Sequence, residues 1–191
     1  MTTNTNVQTH DPWYVTWCIQ AHGSQMFGDK PYEYHLRGVA AVAIRFGFIN
    51  TFMDMLLHGH DVGEDCINPA TGEKYTREDF IAAGFPPIVA DAMMAITDQP
   101  GADRDEIKAK TLPIIAAFVV AISAGGFCVR RPVVLAKLCD RAFNLAESKA
   151  NHPRKFKRYQ HEHPAFVADL YDPAETEFQP LWDYINGLVA D

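Results

Sequence analysis

Strand-like alternation is what this chain most lacks. No segment of useful length alternates apolar with polar residues, so a sheet-based architecture is excluded and helices are left to bury the core. Basic charge is also short: 17 Lys and Arg stand against 24 Asp and Glu, a formal charge of −7. A general nucleic-acid binder needs a basic face, so that class is excluded. A small anionic ligand is not, because a bound metal and a few local cations reverse the potential inside a cleft. Cysteine is sparse, with Cys18, Cys66, Cys128 and Cys139 scattered and no CxxC pair. All four fall in or beside apolar runs, so buried free thiols in a reducing compartment are expected, not a disulfide framework. The longest apolar run, 112–127, is interrupted by Ser123 and Gly125-Gly126 and is too short and broken for a membrane span. The first ten residues are polar with no basic region, so no secretory signal is expected and a cytoplasmic location is.

What is present suits one compact all-α domain. The 191 residues are 48% apolar and 21% charged, enough to bury a sizeable core, with neither an internal repeat nor a composition break. A frayed tail is expected over 1–11 and the domain over 12–191. Apolar periodicity places helices at 12–22, 34–46 and 50–60, the last apolar almost all round and therefore central. Thr76 with Asp79 makes a capping box opening a short helix, and 87–96 is amphipathic. A long helix over 105–124, kinked or restarted near Pro113, would follow. Pro132 at the first helical position starts a helix reaching about 149. Two further helices, 154–169 and 175–189, carry aromatic and aliphatic anchors, Trp182 among them.

The chemistry gathers at Leu56-Leu57-His58-Gly59-His60-Asp61-Val62-Gly63-Glu64-Asp65-Cys66. On a continuous helix His60 and Glu64 lie four apart, as do Asp61 and Asp65, so one turn presents an imidazole and up to three carboxylates. That much negative charge beside a buried run is costly unless something cationic offsets it. On these residues alone a divalent metal and a solvated helix end are equal explanations. His58, two residues before His60, faces away and is expected to be packed. His35 opens an apolar helix, and a lone helix-terminal His more often has no special role. Asp140 and Asn144 share a face four apart inside a strongly apolar helix, where an Asp needs a partner.

The order His35, His60-Asp61, Asp140 resembles the H…HD…D signature of HD-domain metal phosphohydrolases. More narrowly, the chain is similar to the hydrolase domain of RelA/SpoT-type enzymes and small alarmone hydrolases. The matching stretches are His22-Gly23-Ser24-Gln25, Pro31-Tyr32-Glu33-Tyr34-His35, Val39-Ala40, His60 to Cys66, Ile96-Thr97-Asp98 and Lys137-Leu138-Cys139-Asp140-Arg141-Ala142-Phe143-Asn144, so the resemblance spans 22–148. It implies an HD-type helical bundle in which His35, His60, Asp61 and Asp140 hold one divalent ion, usually manganese. It further implies that Glu64 and Asp65 position and deprotonate the attacking water and that Asn144 contacts the nucleotide. The implied reaction removes pyrophosphate from the 3′ position of guanosine tetra- or pentaphosphate.

Four positions depart from that pattern. Met26 and Phe27 stand where the family carries an Arg-Lys pair, Leu36 where it carries Pro, and Glu147 where it often carries Thr. A Phe can stack on a base but neutralises no phosphate. Other cations are then expected to serve, first among them Lys30, Arg37, Lys137 and Arg141, with Arg45, Lys108, Lys110, Arg130 and Arg131 as further candidates. The basic, aromatic-interleaved stretch 151–163 could cover a cleft, although a solvated amphipathic helix is the commoner outcome. The expected partner is thus a small-molecule nucleotide: an alarmone, a deoxynucleotide, a nucleoside monophosphate or another signalling nucleotide. A module that binds a nucleotide without hydrolysing it is the rival from another class. Homo-oligomers are left open, with no surface assigned.

Overall fold

A computed structural model describes residues 11–190. The expected tail over 1–11 therefore lies, apart from Asp11, outside the described residues. Twenty residues of α8 (Pro132–Asn151) form the axis of an all-α, single-domain bundle. Around it pack α2 (Glu33–Arg45), α3 (Thr51–Gly59), α6 (Pro87–Ile96), α7 (Arg104–Ala117), α9 (Pro153–Leu170) and α10 (Gln179–Ala190). Because α8 meets neighbours on nearly all sides, Val133, Val134, Leu135, Leu138, Cys139, Ala142 and Leu145 are all buried. The expected central helix, α3, is buried too, through Met53, Leu56 and Leu57, but it shares that place with α8.

Helix ends follow local chemistry. Asn50 caps α3 by accepting from the Met53 amide at 2.7 Å. Thr76 and Asp79 form the anticipated capping box on α5 (Arg77–Ala83). Pro87 and Pro132 each open a helix at a position where the missing N–H is not needed. The first helix, α1 (Trp13–His22), ends at Gly23. It lies against α3 and the short α4 (Val62–Asp65).

Two of the sequence expectations are corrected. The helix anticipated over 105–124 stops at Ala117, and the chain turns into a hairpin, β3 (Ile122–Ala124) paired with β4 (Phe127–Val129). The pairing of Ala124 with Phe127 leaves Gly125-Gly126 as a two-residue turn, with φ of 59° and 88°. Only glycine takes two successive positive φ values cheaply, and that turn twists as the strands do. A smaller hairpin, β1 (Met26–Phe27) with β2 (Lys30–Pro31), closes through Gly28-Asp29. The second correction is Cys128: it is exposed on β4, whereas Cys18, Cys66 and Cys139 are buried free thiols as expected. Neighbouring strand residues point to opposite faces, and Val129 takes the inward one.

Trp182 packs α10 inward against Phe166 and Tyr171, with ring centroids 5.7 and 5.6 Å away. No helix among the described residues is long and apolar enough to cross a membrane.

Candidate metal centre

Four side chains from three parts of the chain converge at the floor of a cleft. His35 lies in the first turn of α2 and is almost wholly buried. His60 and Asp61 sit at the junction between α3 and α4, and Asp140 projects from the middle of α8. The helix read over 50–60 ends where that reading put it, so His60 to Asp65 do not form one continuous helix. His60 Nδ1 lies 2.7 Å from the Leu57 carbonyl, the acceptor that residue 61 would use if α3 ran on. The chain turns at Asp61 and restarts, with the Glu64 and Asp65 amides donating back to the Asp61 carbonyl at 3.2 and 2.8 Å.

That bond also sets the chemistry of His60. With Nδ1–H given to a backbone carbonyl, Nε2 is the atom presented to the cluster, an arrangement that orients metal-binding imidazoles. His60 Nε2 lies 3.3 Å from His35 Nε2 and 3.0 Å from Asp61 Oδ2, and His35 Nε2 lies 3.1 Å from the same oxygen. Asp140 Oδ1 faces both imidazoles at 3.5 and 3.7 Å. Donors about 2.1 Å from a shared ion are spaced by about 3–3.5 Å, so the separations fit one divalent cation. His35, His60 and Asp61 could hold a metal ion, and the mix of imidazole and carboxylate donors suits several first-row divalent metals.

The charges agree with a cationic occupant. Burial alone would raise the Asp61 and Asp140 carboxyls. Instead the neighbouring imidazoles hold Asp61 well below the usual carboxylate range. Contact with His60 and the Lys137 ammonium holds Asp140 at about 2. Burial would likewise favour neutral His60, yet Asp61 and Asp140 raise its pKa well above the ordinary value. The pocket stabilises positive charge at this point, whether carried by a proton or an ion.

Around these donors lies a supporting layer that sequence reasoning had noted only as matching motif. Tyr32 donates its hydroxyl to Asp61 Oδ2 at 2.6 Å, and its ring stacks on His22 at 4.2 Å. Gln25 Nε2 donates to Asp65 at 2.7 Å, and Gln25 Oε1 lies 2.8 Å from His22 Nδ1. Phe27, a candidate for base stacking, instead stacks on His35 at 4.8 Å and braces the imidazole. Asn144 donates to Asp140 Oδ1 at 2.5 Å. His58 is packed as anticipated, with Nδ1 2.9 Å from the Asp54 carbonyl.

Glu64 and Asp65 line the cleft beside Asp61. Burial raises the Glu64 carboxyl above its ordinary value, partly offset by Lys137, and its side chain lies 3.4 Å from the Asp98 amide. A partly desolvated carboxylate with raised affinity for protons is what a general base near neutral pH requires.

Above the floor the cleft measures about 620 Å³ and is walled by α7, α8 and α9. Of the expected substrate contacts, Lys137, Arg141 and Asn144 line it. Lys30 and Arg37 do not: Lys30 sits 3.7 Å from Glu147 over the Tyr34 ring, and Arg37 pairs with Asp11 and Glu33. In their place stand Arg104 and Lys108 of α7 and Lys155 and Arg158 of α9. The α9 residues were legible as a basic, aromatic stripe. Lys155, Arg158, Tyr159, Glu162, Phe166 and Asp169 recur at helical spacing, and that face is turned into the cleft. In comparisons with known proteins the chain matches no family model and no curated protein.

Proposed function

We propose that this protein is a metal-dependent phosphohydrolase acting on a nucleotide. The observation that carries it is the convergence of His35 Nε2, His60 Nε2 and Asp61 Oδ2 within 3.0–3.3 Å, with Asp140 Oδ1 3.5 and 3.7 Å from the two imidazoles, at the floor of a cleft that also presents Lys and Arg side chains. Those four residues would hold a divalent ion, manganese being the first choice. When bound, the ion would polarise a phosphoryl oxygen and make a bound water more acidic.

The chain's own residues do the rest. Glu64 takes the proton of the attacking water as the new P–O bond forms and the bond to the leaving oxygen breaks. Asp65, held by Gln25 at 2.7 Å, orients that water. Lys137, buried among Asp140, Asp98 and Glu64 and kept protonated by them, limits the anionic charge that an incoming phosphate must face. A cleft of about 620 Å³ is ample for a nucleotide. A guanosine 3′-pyrophosphate alarmone is the first substrate to try, by the motif resemblance. Deoxynucleotides, nucleoside monophosphates and other signalling nucleotides come next, because Met26 and Phe27 replace the cations that the resemblance would supply.

The test is release of phosphate and pyrophosphate from guanosine tetraphosphate and a nucleotide panel with added manganese, comparing the native chain with Asp61→Ala. Pyrophosphate release abolished in the variant supports the alarmone assignment, and release from another nucleotide redirects the substrate while keeping the reaction. Manganese bound at one ion per chain with no turnover of any nucleotide would leave a binding module in place of an enzyme.

A further inference from the structure

Six cationic side chains face the cleft: Arg104, Lys108, Lys137, Arg141, Lys155 and Arg158. Five are committed to carboxylates. Arg104, Arg141 and Arg158 converge on Glu162 at 2.5, 3.4 and 3.8 Å, Lys108 lies 2.7 Å from Asp98, and Lys137 lies 3.9 Å from Asp140. Lys155 has no carboxylate partner among the described residues. Its ammonium contacts the Asn144 side-chain oxygen at 3.3 Å and sits over the Phe27 ring at 4.9 Å and the Tyr159 ring at 5.7 Å.

This placement is specific. Asn144 joins Lys155 to the cluster, since its amide nitrogen bonds Asp140 Oδ1 at 2.5 Å. Phe27, beneath the ammonium, is the ring that stacks on His35. Among the described residues, the one cation of the cleft without a carboxylate therefore lies a single side chain from the converging donors. An ammonium has three donors, and here one is spent on a neutral amide. Half-buried among aromatic rings without a counter-ion, Lys155 is a preorganised donor for an anionic oxygen.

We propose that Lys155 binds a phosphate oxygen of the substrate, on a phosphoryl group next to the one held at the His35–His60–Asp61–Asp140 cluster, and so selects for diphosphate-bearing ligands over monoesters. The inference deepens the hydrolase reading and takes from it only the place of the reacting phosphate. Arg104, Lys108, Lys137, Arg141 and Arg158 would have to break an existing ion pair to do the same work, whereas Lys155 gains a partner without losing one.

Calorimetric binding of inorganic pyrophosphate and of inorganic phosphate to manganese-loaded protein tests it. Lys155→Met should weaken pyrophosphate binding at least tenfold and phosphate binding much less. Lys155→Arg should recover most of the loss, and Lys157→Met, on an exposed position of the same helix, should match native protein. Manganese affinity and the melting temperature should be unchanged in Lys155→Met, which separates lost anion recognition from lost folding. Native-like pyrophosphate affinity in Lys155→Met overturns the proposal, as does an equal loss for both anions or no pyrophosphate binding by the native protein. Failure of the native chain to bind manganese would instead overturn the metal assignment. The same comparison without metal would then still judge Lys155, a tenfold loss supporting it and none refuting it.

Discussion

Tyr32 and Asp61 tie the candidate metal centre to its scaffold: the phenol donates at 2.6 Å to Oδ2, the oxygen that both imidazoles approach. Burial, reinforced by Asp61, pushes the Tyr32 phenol far above its usual pKa, so it remains a donor at any working pH. Its ring, stacked on His22, stays in place if the hydroxyl alone is removed. Tyr32→Phe should therefore keep the fold and release Asp61 from its fixed rotamer. Removing such supporting partners weakens metal binding by about 10–100-fold, and a manganese titration of the variant should show a loss in that range. Unchanged affinity would mean that the imidazoles alone position the carboxylate.

A ligand that binds only the folded chain adds stability in proportion to its occupancy. Free manganese at about 100 times its dissociation constant should stabilise the protein by about 2.7 kcal/mol. Thermal unfolding with added manganese, then with excess chelator, measures this. Asp140→Asn should lose most of the increment, because Asp140 Oδ1 faces both His35 and His60. A melting temperature indifferent to manganese in the native chain would remove the metal from the account.

Two helical glycines near the cluster, Gly38 and Gly59, should respond differently to a methyl group. A Cβ at Gly38, one turn beyond His35, would lie 2.0 Å from the Phe143 ring, which is rigid and also touches Phe27 and His35. Gly38→Ala should cost about 1–3 kcal/mol through overpacking. A Cβ at Gly59, the last residue of α3, would meet the Met93 terminal methyl at 1.7 Å, and a thioether chain can swing aside. Gly59→Ala should stay within about 1 kcal/mol of native protein, helped by the better helix propensity of alanine. Urea denaturation of both variants decides, and a larger loss at Gly59 would refute the argument.

The cluster was legible because its residues announce themselves within single elements. His60 and Asp61 are adjacent, and Asp140 and Asn144 share a helix face, so spacing alone marked them as unusual in apolar surroundings. Helix starts at Thr76, Pro87 and Pro132 were legible for the same local reason. The cations were not, because their service depends on which helix lies across the cleft. Arg37 stood among the first candidates in sequence and Lys155 only within the basic stretch 151–163, yet α2 turns Arg37 toward Asp11 and Glu33, while α9 brings Lys155 over Phe27. The β3–β4 hairpin was missed although Gly125-Gly126 sits between Ile122 and Phe127. Apolar content read at helical period hid a two-residue turn signal. The end of α3 at His60 fell where the apolar run stopped, whereas the side chain that takes a backbone acceptor there is recorded by no periodicity.

Glu162 is the hinge of charge at the rim, accepting from Arg104 at 2.5 and 3.1 Å and from Arg141 at 3.4 Å, and so joining α9 to α7 and α8. Burial acts to raise its carboxyl, but the hydrogen bond and charge of Arg104, with Arg141 behind, hold it below the ordinary value of 4.5. A lowered native pKa means that the folded chain binds this proton less readily than the unfolded chain. The pairing therefore stabilises the fold fully above 4.5 and loses its contribution as pH falls through the lower native value. Glu162→Gln cannot ionise and leaves Arg104, Arg141 and Arg158 without that carboxylate at every pH. Urea midpoints of native and variant protein should thus be far apart at neutral pH and draw together in acid, where native Glu162 is protonated too. Other acids with lowered pKa, Asp61 and Asp140 among them, titrate in both proteins and cancel in the difference. Parallel curves down to acid pH would show that Glu162 adds nothing to stability through its charge, and that α9 is held over the cleft by Phe166 and Tyr159 packing alone.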